Sequence, residues 1–219
     1  MQETAILDSG ASWRRLGLSL LIGSVGNVGM WAIIVIMPAV QAEFGIDRAD
    51  ASMPYVLTMI GFALGNLLIG RAVDRWSVTQ ALWGSAALVA VGFALAALTA
   101  NIWTFALLHL VIGLGTAASF GPLIADLSHW FLKRRGIAVA VAASGNYLSG
   151  AIWPFVLGGL LQDQGWRAVY LSLAVIVGIG VPLLALGLRA KVPEAPPKPP
   201  RVRPPPAAAT PVSRRWCWP

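Results

Sequence analysis

Six stretches of this chain, Leu16–Val40, Ser52–Gly70, Gln80–Thr99, Ile102–Ala125, Gly136–Leu161 and Ala168–Leu188, contain no Asp, Glu, Lys or Arg. A helix needs about 20 mostly apolar residues to cross a bilayer core, and each stretch reaches that length to within a turn. In hydrocarbon every backbone polar group must be bonded internally, which leaves helices or closed barrels as spanning structures. Six such stretches in 219 residues exclude a soluble protein and predict an all-α membrane protein with six transmembrane helices. The 23 glycines fit that setting. They would weaken helices in water, but in lipid small residues let backbones approach closely. The first stretch ends in Val40-Gln41-Ala42, the last two residues lying just past it, and this tripeptide resembles a signal-peptide cleavage site. Its 25 residues are too many for a signal core and five more stretches follow, so a retained anchor is expected.

Short loops rich in Lys and Arg resist translocation. Arg14, Arg15, Arg71, Arg75, Lys133, Arg134, Arg135 and the seven basic residues from Arg189 onward fall on one side of the alternating segments; only Arg48 and Arg167 fall on the other. Both termini are therefore expected in the cytoplasm, with the chain integral to a bacterial inner membrane. The net charge of +7 follows from this asymmetry, so nucleic acid is not needed as a partner, and anionic lipid of the bilayer is the simpler one. Lys133, Arg134 and Arg135 are read as anchors on that lipid. Three segments are expected: a cytoplasmic N-terminal segment over 1–15, the helical domain over 16–190, and a disordered basic tail over 191–219. The tail is dense in proline, which blocks helix. Its ending, Arg214-Arg215-Trp216-Cys217-Trp218-Pro219, suggests a truncated or frame-shifted reading frame. Cys217 is the only cysteine and cannot form an internal disulfide.

Transporters often contain internal repeats. The second span ends Gly70-Arg71-Ala72-Val73-Asp74 and the fifth ends Gly159-Leu160-Leu161-Gln162-Asp163, both G-x-x-x-D and offset by 89 residues. Pro38 and Pro122 stand near the ends of the first and fourth spans, each preceded by interrupting glycines. A 3+3 inverted repeat is the expected arrangement.

Gly70 to Asp74, with Arg75 and Trp76, resembles the signature loop between the second and third spans of the major facilitator superfamily. Ser77 stands here in place of the family's next glycine, and Val78-Thr79 in place of its closing basic pair. A longer block is similar to the fourth-to-sixth-span region of monocarboxylate-porter-like members. It comprises His129-Trp130-Phe131-Leu132-Lys133-Arg134-Arg135-Gly136-Ile137-Ala138, Ser144-Gly145-Asn146-Tyr147, Gly150, Trp153-Pro154 and Gly165-Trp166-Arg167. The resemblance covers about residues 12 to 190 and implies half of a major facilitator fold, the N-terminal six helices of twelve. It further implies secondary transport of a small organic anion with protons, by alternating access.

Three groups of residues are candidates for that work. Gly70, Asp74 and Arg75 form the expected gating loop, in which Gly70 lets helix ends pack and Asp74 caps amides or pairs with Arg71 or Arg75. The alternative is an ordinary surface turn. His109, inside the fourth span, is either a proton carrier titrating near pH 6.5 or a neutral, hydrogen-bonded core histidine. The resemblance adds that His109-x-x-x-Gly113-x-Gly115 aligns with a family pattern whose first position is often an arginine associated with proton coupling. Asn27 and Trp31, four apart, share a helix face, as do Asn146, Gly150 and Trp153. Two such stripes facing one cavity would offer donors for a carboxylate and an apolar wall for its hydrocarbon part. Gluing helices together is the alternative.

No cofactor or metal is expected. His129 lies twenty residues after His109, roughly 30 Å along a helix, so the two cannot share a metal. The sequence holds no nucleotide-binding loop and no nucleophile elbow, and the chain is expected not to be an enzyme. The partners expected are the bilayer, a small organic anion, a proton, and either a missing C-terminal half or a second copy. A non-transporting remnant and a parallel homodimer remain as alternatives.

Overall fold

A span that may expose no unbonded backbone must be helical, and the described secondary structure is entirely helical. The computed structural model describes residues 7–75 and 77–189, without the side chains of Ala72 and Asp74. The expectations placed on Asp74, Trp76 and the proline-rich tail lie outside the described residues.

The first span consists of α1 (Gly10–Gly26) and α2 (Val28–Phe44), joined at Asn27. α3 (Arg48–Arg75) and α4 (Val78–Leu98) are the second and third. The fourth is α5 (Ile102–Thr116) and α6 (Gly121–Ser128), separated by a 3-10 turn over Ala117–Ser119. α7 runs over Arg135–Leu186, 52 residues, with one non-helical position at Gly165, where φ is 79° and ψ 171°. A straight helix of that length would extend about 78 Å, more than twice the hydrocarbon thickness. Glycine reaches this left-handed φ without a Cβ clash, and the chain turns there into two arms, 135–164 and 166–186. Among the described residues five helical segments are long and apolar enough to span, and the two arms of the fifth make six segments of about that length.

Local sequence explains the starts. Ser77, which departs from the signature loop, is the N-cap of α4: its hydroxyl accepts from the Gln80 amide and Gln80 reaches back, a capping box. Asn101 caps α5 by accepting from the amides of Trp103 (2.8 Å) and Thr104 (3.3 Å). Glycine sets how closely α3 and α5 approach. A Cβ on Gly113 would lie 2.1 Å from the Thr58 carbonyl oxygen, and one on Gly61 2.1 Å from that of Leu110. Gly70 contributes nothing of this kind, since a Cβ there meets nothing within 4 Å. The close packing expected at Gly70 is made instead two to three turns earlier on α3.

The repeat is visible in the breaks. The 89-residue offset carries Asn27 onto Thr116, the last residue of α5, so the first and fourth spans are interrupted at matching places. Proline marks only one of them: Pro122 sits in the first turn of α6, whereas Pro38 lies inside α2, which continues through it. Outward-facing side chains such as Leu98, Leu67 and Phe155 are apolar and exposed, as a lipid-facing surface requires.

Candidate functional site

The two helix breaks meet. A Cβ on Gly26 would overlap the Ser119 hydroxyl and one on Gly29 that of Thr116, so α1 and α2 press on the interrupted fourth span at its break. Asn27 is fully buried there. Its amide nitrogen donates to the carbonyls of Gly23 (2.7 Å) and Ser119 (3.3 Å), which fixes the orientation of the amide. Its Oδ1 has no partner among the described residues. Broken helices leave backbone groups and polar side chains free of the regular ladder, which is how transporters build ligand sites near the midplane.

The expected stripe on the first arm of α7 lies against the first span. Gly145 would place a Cβ 3.0 Å from the Leu20 carbonyl oxygen, so α1 and this arm are in near backbone contact. Across that contact Trp31 Nε1 donates to the Asn146 carbonyl (3.1 Å) and to Asn146 Oδ1 (3.3 Å). The Trp31 ring covers Gly150, where a Cβ would lie 2.8 Å from the indole. Trp153 Nε1 returns a bond to the Ser24 carbonyl at 2.8 Å. Asn27 and Trp31 thus engage different neighbours, the fourth span and the fifth. The helix is interrupted between them, at Asn27 itself.

His109 stands apart from this group. Phe105 O, 2.8 Å from Nδ1, can only accept, so Nδ1 carries the proton; Nε2 then accepts from the Tyr170 hydroxyl at 2.7 Å. The ring is fully buried among Phe105, Tyr170 and, through them, Phe93 and Trp166. None of the other four candidates is its hydrogen-bond partner. Gly70 borders an open groove of about 390 Å³ with Asn66, Gly121 and Pro122, and Arg75 is exposed at the last residue of α3.

Two ion pairs went unread in the sequence. Arg15 holds Asp126 through Nε (2.6 Å) and Nη2 (2.9 Å), with both side chains almost wholly buried. Its Nη1 donates to the Leu188 carbonyl (3.0 Å) and its guanidinium lies 4.5 Å over the Trp130 ring. At the opposite end Glu43 accepts from Arg167 and from Trp166 Nε1, and Arg167 also bonds the Thr99 carbonyl at 3.1 Å. A lone Asp just past the fourth span is the available signal for the first pair, and nothing in the sequence sets Arg15 apart from the other basic residues of its side.

A family model described as Major Facilitator Superfamily matches residues 20–218. The chain belongs to the major facilitator superfamily. Human monocarboxylate transporter 11 is 39% identical over 133 residues, 57% of this chain and 28% of the relative. The 4-hydroxybenzoate transporter PcaK of Pseudomonas putida is 32% identical over 185 residues, 84% of this chain and 40% of the relative. Among solved structures, an inward-facing, unoccupied bacterial homologue of the human lysosomal transporter Spinster superposes with a TM-score of 0.64. It is 18% identical and the match covers 94% of this chain and 47% of that one, which establishes the fold alone. The chain spans less than half the length of each of these three. Membership in the major facilitator superfamily makes this a transporter-family chain rather than an enzyme.

Proposed function

We propose that this chain forms the N-terminal half of a proton-coupled, alternating-access carrier of a small organic anion. The observation that carries the reading is the meeting of the two helix breaks at Asn27 and Ser119, with an unpartnered buried acceptor at the junction. It is supported by relatives named for monocarboxylates and for 4-hydroxybenzoate, which share a carboxylate on a small apolar body. Trp31 and Trp153 supply apolar wall, and Asn146 the polar group beside them. Asn27 Oδ1, an acceptor, suits a donor such as a ligand hydroxyl or a protonated acid, so the carboxylate itself takes its ligand from a second half. Proton coupling is assigned to His109. Protonation there would reverse the hydrogen bond to Tyr170 while placing charge among aromatic rings, which favours a state in which α5 and the second arm of α7 part.

The test is uptake of labelled 4-hydroxybenzoate and lactate into proteoliposomes holding this chain together with a complementary C-terminal half. Saturable uptake is expected from the pair and none from the chain alone; uptake by the chain alone favours a parallel homodimer instead. In the pair, His109→Gln is expected to abolish proton-driven accumulation and to leave substrate exchange largely intact. Unchanged uphill uptake from about pH 5 to 8, which brackets the reference imidazole value, returns His109 to a structural role.

A further inference from the structure

An open groove of about 510 Å³ lies between the start of α1 and the end of α7, apart from the helix-break junction. Arg14, Arg15 and Trp130 line one end, and Leu18, Leu21 and Gly187 continue it. Arg14, Leu18 and Leu21 are spaced four and three apart, so they form one stripe along α1. The stripe runs about 10 Å from the charged end toward the bilayer interior, at 1.5 Å per residue. The groove is therefore amphiphilic by construction, cationic where the helix begins and apolar where it enters hydrocarbon. Its lining includes two arginines and no acid. Arg15 is committed to Asp126 and Leu188, whereas the Arg14 side chain is exposed.

Trp130 closes one end of the groove. It is 4% exposed, and its indole N–H has no acceptor among the described residues. The N–H itself has no accessible surface, so it is the indole ring that walls the groove. We infer that this groove binds one anionic phospholipid of the cytoplasmic leaflet, its phosphate against Arg14, its ester region at the Trp130 end and one acyl chain along Leu18 and Leu21. Charge complementarity selects the occupant. Among the described residues Arg14, Arg15, Lys133, Arg134, Arg135 and Arg189 share this end of the molecule, which attracts the anionic leaflet, and the groove has no carboxylate with which a zwitterionic headgroup's ammonium would pair. Bound there, the lipid braces the junction at which Arg15 ties α1 to Asp126 and to the Leu188 carbonyl.

The test uses the full 219-residue chain, purified in detergent and relipidated with an equimolar mixture of phosphatidylglycerol and phosphatidylcholine. Retained lipid is read by native mass spectrometry and thermal stability by light scattering. Selective retention of one phosphatidylglycerol, with a raised melting temperature, is expected. Arg14→Gln should lower that retention about fivefold, the equivalent of about 1 kcal/mol for one basic contact at an anionic surface. Gly17→Phe should do likewise by filling the slot, because a Cβ at Gly17 meets nothing within 4 Å and leaves helix packing alone. Arg48→Gln, at the other end, should leave retention as in the parent. Equal retention of both lipids, retention unaffected by Arg14→Gln, the same stabilisation by inorganic phosphate alone, or loss of the lipid when a C-terminal half is co-assembled each overturns the inference.

Discussion

Arg15 joins three elements through one side chain: it bonds both oxygens of Asp126 at the end of α6, the carbonyl of Leu188 after α7, and lies over Trp130. Removing one member of a buried pair leaves the other charge unpaired, at a cost of about 3–5 kcal/mol. Arg15→Met and Asp126→Leu are each expected to destabilise by that amount in detergent unfolding, and the double variant by less than either single one. Additive losses would mean that the two side chains act independently. Asp8 is a second latch on the same end. Its carboxylate accepts from the amides of Lys133 (3.0 Å), Leu132 (3.2 Å) and Arg134 (3.3 Å), and its φ of 58° is the only positive value at a non-glycine among the described residues. The Lys133 amide foremost, then those of Leu132 and Arg134 and the Lys133 charge, hold the carboxyl below its ordinary value of 3.8. A depressed value means that docking is fully supported above the unfolded-state value and lost as pH falls through the folded one. A nitroxide on Ser9→Cys, in a chain whose Cys217 is changed to Ser, should therefore stay immobilised at neutral pH and become mobile only below about pH 4. In Asp8→Asn, which tolerates the same backbone conformation but is a weaker acceptor, it should be mobile throughout. A probe equally immobile in both proteins would show that the carboxylate does not hold this segment.

At the scale of helices, glycine separates positions that must be small from positions that merely are. Gly113 faces the Thr58 carbonyl of α3, where any side chain forces backbones apart, so Gly113→Val should destabilise by about 1–3 kcal/mol. Gly84 lies within α4 with nothing within 4 Å of a Cβ, and Gly84→Ala should stabilise by about 0.5–1 kcal/mol through helix propensity. Melting curves of the two variants in detergent check the contrast; similar shifts for both would remove the packing argument. The same distinction explains how much could be read beforehand. Helix length and the turn at Gly165 follow from local hydropathy and from one backbone angle that glycine favours, so all six spans were legible. The break at Asn27 was not, because no proline stands there to mark it. Arg15 and Asp126 are 111 residues apart, and no periodic pattern reports a pairing over that separation. For His109 the sequence left two readings, and a buried bond to Tyr170, 61 residues away, depends on how the second arm of α7 packs.

The whole molecule has two chemically different ends. One gathers Asp8, Arg15, the 132–134 loop and Leu188; the other gathers Glu43, Thr99, Trp166 and Arg167. The described basic residues divide between these ends as the loops do, with Arg14, Arg15, Arg71, Arg75, Lys133, Arg134, Arg135 and Arg189 at the first and Arg48 and Arg167 at the second. Arg167 is moreover neutralised by Glu43, so the second end carries still less free positive charge than its two arginines suggest. Basic segments are retained on the cytoplasmic side, and the bias counts most in short loops such as these. The first end should therefore face the cytoplasm. Cysteines replacing Ala100 and Gln164, both exposed at the second end, are expected to react with a membrane-impermeant maleimide applied to intact cells. A cysteine replacing Gly136, exposed at the start of α7 with free space around its Cβ, should react only after permeabilisation. The natural Cys217 is first changed to Ser so that it does not contribute. The reverse labelling pattern would invert the orientation and, with it, move the proposed lipid groove to the outer leaflet, where anionic headgroups are scarcer. Labelling of all three positions from outside would show that the chain does not keep a single topology.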